Sequence, residues 1–130
     1  MYEVGALLAG KYRIDRVLGQ GGMGMVVAAT HVQLNQPIAL KFLLDEVLGQ
    51  PQIVERFLRE ARASAALRGE HVCKVSDVGT LESGAPYMVM ELLEGRDLAS
   101  LLKAGGPVAV PTVVEYLLQA CLGVGEAHAH

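Results

Sequence analysis

The first residues that could do chemistry are the glycines of Gly19-Gln20-Gly21-Gly22-Met23-Gly24, followed by Met25-Val26, a G-x-G-x-x-G-x-V pattern. Without Cβ atoms at Gly19, Gly21 and Gly24, backbone N–H groups can come close to phosphate oxygens. A dinucleotide-binding turn uses the same spacing, but there a helix starts inside the motif and an acidic residue follows about twenty positions later. Here Met25-Val26-Val27-Ala28-Ala29-Thr30 is strand-like, and near the later position stands Lys41. Alternation along Ile38 to Leu44 places Ile38, Leu40 and Phe42 on one face and Ala39, Lys41 and Leu43 on the other. An ammonium there either snorkels to water or needs a carboxylate. Glu60 is the candidate partner. With the residues from Pro51 onward projected at about 100° per position, Ile53, Phe57, Ala61 and Leu67 share an apolar arc on whose side Glu60 falls. Glu55, Arg56, Arg59 and Arg62 occupy the opposite arc. An i,i+4 pair of Arg56 with Glu60 on a solvated flank is the competing reading. A carboxylate and an ammonium, each misplaced in apolar surface behind a phosphate-type loop, favour Lys41 with Glu60.

These groups need strands and one helix to position them. Tyr12 to Leu18, Met25 to Val32, Ile38 to Leu44, Val72 to Val78 and Tyr87 to Leu92 read as five strands. Turns are marked by the glycine cluster, by Asn35-Gln36-Pro37, and by the stretch holding Gly79, Ser83, Gly84 and Pro86. Pro51 opens a helix expected to reach about Arg68, ended by Gly69. After Gly95 the pattern turns helical, with a short helix around Leu98, Leu101 and Leu102 and a longer one begun near Pro111.

In these motifs the sequence resembles the eukaryotic-like (Hanks-type) Ser/Thr protein kinases, especially their bacterial members, from about Tyr12 to His130. The matching residues are the Gly19 to Val26 loop, Ile38-Ala39-Leu40-Lys41 in the place of V-A-I-K, Glu60 within Arg59-Glu60-Ala61, and Tyr87-Met88-Val89-Met90-Glu91-Leu92-Leu93-Glu94-Gly95 as fifth strand and hinge. The resemblance implies an α+β fold: a kinase-like N-lobe with a five-stranded antiparallel sheet and one helix, then the first two helices of a helical C-lobe. Its divisions would be an N-terminal extension over 1–11, the ATP-binding lobe over 12–93, and the hinge exit and C-lobe start over 94–130. It further implies that Lys41 holds the α/β-phosphates of ATP and that Glu60 fixes that lysine. Leu18, Val26 and Ala39 would line the adenine pocket, Met90 would stand in the gatekeeper position, and the backbone of Glu91 and Leu93 would bond the adenine edge. Asp97 stands where the family often contacts ribose or substrate, and it reads equally as a helix N-cap. Val27 departs from the family where many members carry an aromatic. Asp77-Val78-Gly79 only imitates D-F-G, because it precedes the hinge strand.

Composition narrows the alternatives. In 130 residues, 52% apolar and 19% charged with mean hydropathy +0.34, there is material for a packed core, and disorder is a poor reading. Eleven basic against fourteen acidic side chains give a net charge of -3, so no global field attracts nucleic acid or anionic lipid. Cys73 and Cys121 lack the density of a disulfide scaffold, which fits a reducing cytoplasm. Val4 to Leu8 has no basic flank, against a signal peptide, and the tract from Val108 to Val124 is broken by Pro111 and carries Glu115, against a membrane span. His128 and His130 lack a third ligand and are not read as a metal site.

The resemblance therefore implies the ATP-binding part of a signalling phosphotransferase acting on Ser or Thr of a protein substrate. The 130 residues hold no H-R-D-x-x-x-x-N and no D-F-G, so the ligands of Mg²⁺ would lie elsewhere, and this segment alone is expected to be inactive. Two alternatives stay open: a non-catalytic module that binds nucleotide or a protein partner, dimerising through uncovered apolar residues such as Val113, Leu117 and Leu122, and a dinucleotide-dependent oxidoreductase, if the segment after Gly24 is helical.

Overall fold

Alternation along the first half of the chain becomes an antiparallel sheet in the computed structural model, which describes residues 2–129. The strands are β1 (Leu7–Leu8), β2 (Tyr12–Gln20), β3 (Gly24–His31), β4 (Gln36–Leu43), β5 (Val75–Thr80) and β6 (Pro86–Met90). Their spatial order is β1-β2-β3-β4-β6-β5, every neighbouring pair antiparallel. A 3-10 turn at Asp45–Val47 leads from β4 into α1 (Pro51–Ala65), whose first turn is opened by Pro51, as the fixed φ and missing donor of proline favour. Because the segment after Gly24 is strand and not helix, the dinucleotide alternative falls.

The sheet has six strands where five were expected. The sixth, β1, is two residues long, too short to carry a period. It is fixed by non-local terms: Gly5 N–H donates to Ile14 O at 2.8 Å, Ile14 N–H donates to Ala6 O at 2.9 Å, and Leu8 is buried. The expected extension thus completes the sheet. Boundaries moved too: α1 ends at Ala65 instead of Arg68, and β5 starts at Val75 instead of Val72.

The sheet separates two apolar clusters. On one face Ile14, Val27, Leu40, Phe42, Tyr87 and Val89 pack together; the other carries Leu43 and Met88 against Val47 and against Phe57 and Ala61 of α1. Phe57 and Ala61 are four apart and so share one stripe of the helix. Among the described residues none that is polar or charged is fully buried, so the core is apolar throughout.

The chain forms two compact units. The first comprises the residues up to Ala66 with Cys73–Leu92, and holds all of these elements; the second comprises Leu67–Val72 with the residues from Leu93 onward. The second unit has α2 (Leu98–Gly105) and α3 (Val110–Ala129). Within it, Glu126 of α3 accepts backbone hydrogen bonds from Arg68 N–H at 2.8 Å and Gly69 N–H at 2.9 Å, which is why Leu67–Val72 groups with the helices. No helix among the described residues is long and apolar enough to cross a membrane. Of the two terminal histidines, His128 closes the last turn of α3 and His130 lies outside the described residues.

Candidate functional site

The glycine loop is the turn of the β2–β3 hairpin. Gly21 N–H donates to Gly24 O at 2.9 Å, closing it, and Leu44 N–H donates to Met23 O at 2.8 Å, tying its tip to the end of β4. A Cβ on Gly24 would stand 2.8 Å from the carbonyl oxygen of Phe42, so a side chain there would push β3 off β4. Around Gly19, Gly21 and Gly22 nothing lies within 4 Å of where a Cβ would be, which leaves the loop open to a ligand.

Register places the other residues. Lys41 of β4 is opposite Val26 of β3 on one side and Met88 of β6 on the other; Ala39 is opposite Ala28 and Met90. Directly paired residues share a face, so Val26, Ala39, Lys41 and Met90 stand together, on the face that α1 covers. Leu18 sits at an irregularity of the β2–β3 ladder between Val17 and Gly19 and is exposed. Such a bulge re-aims a side chain, and alternation cannot foresee it.

A cleft of about 860 Å³ opens between the glycine loop and α1. It gathers Gly19, Gly21, Gly24, Val26, Lys41 and Glu60, and does not reach Leu18, Ala39, Met90 or Glu91. The expected ion pair of Lys41 with Glu60 is not formed. Glu60 Oε1 accepts from Arg56 Nε at 3.0 Å on an exposed flank of α1, and Glu55 Oε1 likewise accepts from Arg59 at 3.3 Å. The reason is the facing of the helix: Phe57 and Ala61 take the buried stripe, and Glu60, one position aside, keeps half of its side chain in water, where the local i,i+4 partner is nearest. Lys41 has no carboxylate within 4.0 Å among the described residues. Both acid–base pairs on the lining are satisfied within α1, and neither involves the Lys41 ammonium.

Glu91, expected at the hinge, is held from the β5 side. Its N–H donates to Lys74 O at 3.1 Å, its Oε1 accepts from Lys74 N–H at 3.0 Å, and Cys73 Sγ lies 3.9 Å from its carbonyl oxygen. Burial, reinforced by the Glu91 charge, pushes the Cys73 thiol above its ordinary pKa, so it stays protonated. Leu93 and Asp97 belong to the second unit. Asp97 is the N-cap of α2, its Oδ1 accepting from Ser100 N–H at 2.7 Å.

The sequence matches the family model of the protein kinase domain over residues 12–130. The chain belongs to the protein kinase family. Among curated relatives, serine/threonine-protein kinase pkn3 of Myxococcus xanthus is 35% identical over 125 residues, covering 96% of this chain and 23% of that protein. Serine/threonine-protein kinase PknH of Mycobacterium bovis is 37% identical over 127 residues, covering 98% of this chain and 21% of that protein. The crystal structure of the Mycobacterium tuberculosis PknI kinase domain superposes with a TM-score of 0.81 at 26% identity, covering 98% of this chain and 51% of that one. The chain therefore spans under a quarter of these curated relatives and about half of that crystallised domain. The six-stranded sheet with α1 is the kinase N-lobe.

Several site residues were not singled out in the sequence as cleft-lining. Gln52, Arg56 and Leu43 line the cleft. Met88 flanks Lys41, and its signal was available, since it stands two residues before Met90 in an alternating strand.

Proposed function

We propose that this chain is the ATP-binding portion of a Ser/Thr protein kinase, which transfers the γ-phosphoryl of ATP to Ser or Thr of a protein substrate. The observation that carries the reading is the unpaired Lys41 ammonium in the same cleft as Gly19, Gly21 and Gly24. Backbone N–H groups of the loop would cradle phosphate oxygens, and Lys41 would neutralise them. Val26, Ala39 and Met90, sharing the Lys41 face, would receive the adenine, with the Glu91 backbone at its edge. The family also uses Mg²⁺, which would neutralise charge on the phosphates. Among the described residues no three His, Cys, Asp or Glu side chains come together to hold it, and Glu55 and Glu60 are engaged by arginines. Residues 1–130 contain neither H-R-D-x-x-x-x-N nor D-F-G, and we infer that by themselves they bind nucleotide without turning it over.

The test is stabilisation by nucleotide. ATP at about a hundred times its Kd should raise the unfolding free energy by about 2.7 kcal/mol, and Lys41→Met should remove most of that gain while leaving the apo protein as stable as before. Equal stabilisation of the wild-type and Lys41→Met chains would overturn the reading.

A further inference from the structure

We propose that Arg56 is a positioning residue that competes with Lys41 for Glu60 and holds the carboxylate away from the phosphate-facing lysine. The inference rests on the nucleotide reading above and deepens it by naming what sets the availability of Glu60. Three observations carry it. Lys41 of β4 and Arg56 and Glu60 of α1 line one cleft, and of the other cation on its lining, Arg59, the partner is Glu55, so Lys41 and Arg56 are the cations open to Glu60. In the structure it has chosen Arg56, at 3.0 Å, and Lys41 is left with no ionic partner among the described residues. Arg56 in turn has no substitute on its own helix: Glu55 is held by Arg59, and the residue one turn before Arg56 is the neutral Gln52.

The pair is also built to release. Acidic residues do best one turn N-terminal to their cation, because the helix dipole then helps both charges. Glu55 with Arg59 follows that order, whereas Arg56 with Glu60 reverses it. Both partners are exposed, which weakens the bond further. The pair therefore biases the choice of Glu60 by about twofold, the size of an exposed i,i+4 interaction. A bias of that size makes Arg56 a tuning residue and not a lock.

The population of the Lys41–Glu60 pair can be read without nucleotide. Zero-length carbodiimide cross-linking joins a lysine to a carboxylate in contact with it, and peptide mass spectrometry of the chain then gives the yield of the Lys41–Glu60 amide. Arg56→Gln should raise that yield about twofold, and Arg59→Gln, with the same loss of charge, should leave it unchanged. No rise with Arg56→Gln, or an equal rise in both variants, would overturn the proposal. The second arm is ATP affinity in two backgrounds. Arg56→Gln should tighten binding about twofold when Glu60 is present and have no effect on Glu60→Gln. Weakening in both backgrounds would make Arg56 a direct phosphate ligand and would also overturn it. If cross-linking responds as expected but the wild-type chain binds no ATP, the competition stands and the nucleotide reading falls.

Discussion

The two units are built from similar apolar material and use it in opposite ways. In the first, Ile14, Val27, Leu40 and Phe42 are fully buried, and β4 feeds one cluster on each face of the sheet. In the second, α2 has no buried residue and α3 buries only Gly123 among its described residues, while Val110, Leu117, Leu118 and Leu122 are each more than half exposed. Thr112, Glu115, Gln119 and Glu126 share one polar stripe of α3, and most of the rest of its surface is apolar. Period-2 alternation lets the sheet bury one set of residues per face from local pairing plus one helix, whereas α3 carries apolar surface that nothing in the second unit covers. The glycine loop, Lys41 and Glu60 are all on the first unit.

The sharpest way to break that contrast is to remove bulk from each side. Phe42→Ala should cost about 3–5 kcal/mol, because a fully buried ring leaves a cavity between β4 and its neighbours. Leu117→Ala, at a position 60% exposed, should cost less than about 0.5 kcal/mol. Urea unfolding followed by circular dichroism gives both values. Comparable losses would mean that α3 is covered in solution, by self-association for instance, and sedimentation would then find a species larger than the monomer.

How far the sequence could be read follows the same division. The facing of β4 was legible because Leu40 and Phe42 alternate with Lys41 and Leu43, and the start of α1 because Pro51 marks it. The N-cap at Asp97 was legible as one of two readings. What was not legible depends on contacts far apart in the chain. β1 is set by Ile14 and by the burial of Leu8, and the loop after α1 is captured by Glu126, 57 residues on from Gly69. Projection favours Lys41 as the partner of Glu60, and the structure gives Arg56 instead. A helical wheel places the carboxylate beside the apolar arc, but Phe57 and Ala61 take the buried stripe, and Glu60 pairs with Arg56 one turn before it.

A finer comparison uses two glycines in equivalent straits. A Cβ on Gly24 would meet Phe42 O at 2.8 Å, and one on Gly123 would meet His71 O at 2.7 Å. Each alanine variant should cost about 1–3 kcal/mol, since backbone must move in both cases. They should part company in ligand binding: Gly24→Ala pushes the loop off β4 and should weaken ATP at least tenfold, while Gly123→Ala acts within the second unit and should leave ATP affinity within about twofold. Loss of binding in both variants would mean that the nucleotide site is not confined to the first unit.

The smallest effect concerns Asp97, a carboxyl of the second unit. The Ser100 backbone N–H, and then the Ser100 side chain, hold Asp97 below the ordinary carboxylate pKa. A group whose pKa is depressed by folding stabilises the folded form above its unfolded pKa, and that contribution disappears as pH falls through the depressed value. The cap is fully exposed, so solvent screens it and the consequence is local. The amide of Ser100 should exchange faster with solvent once Asp97 is protonated, at the acid end of the carboxylate range. In Asp97→Asn the side-chain oxygen still accepts the hydrogen bond without titrating, so exchange at Ser100 should lose this acid-dependent step and follow only the intrinsic pH dependence. Persistence of the step in Asp97→Asn would assign it to another group and remove the cap as its source, leaving the start of α2 to be explained by backbone geometry alone.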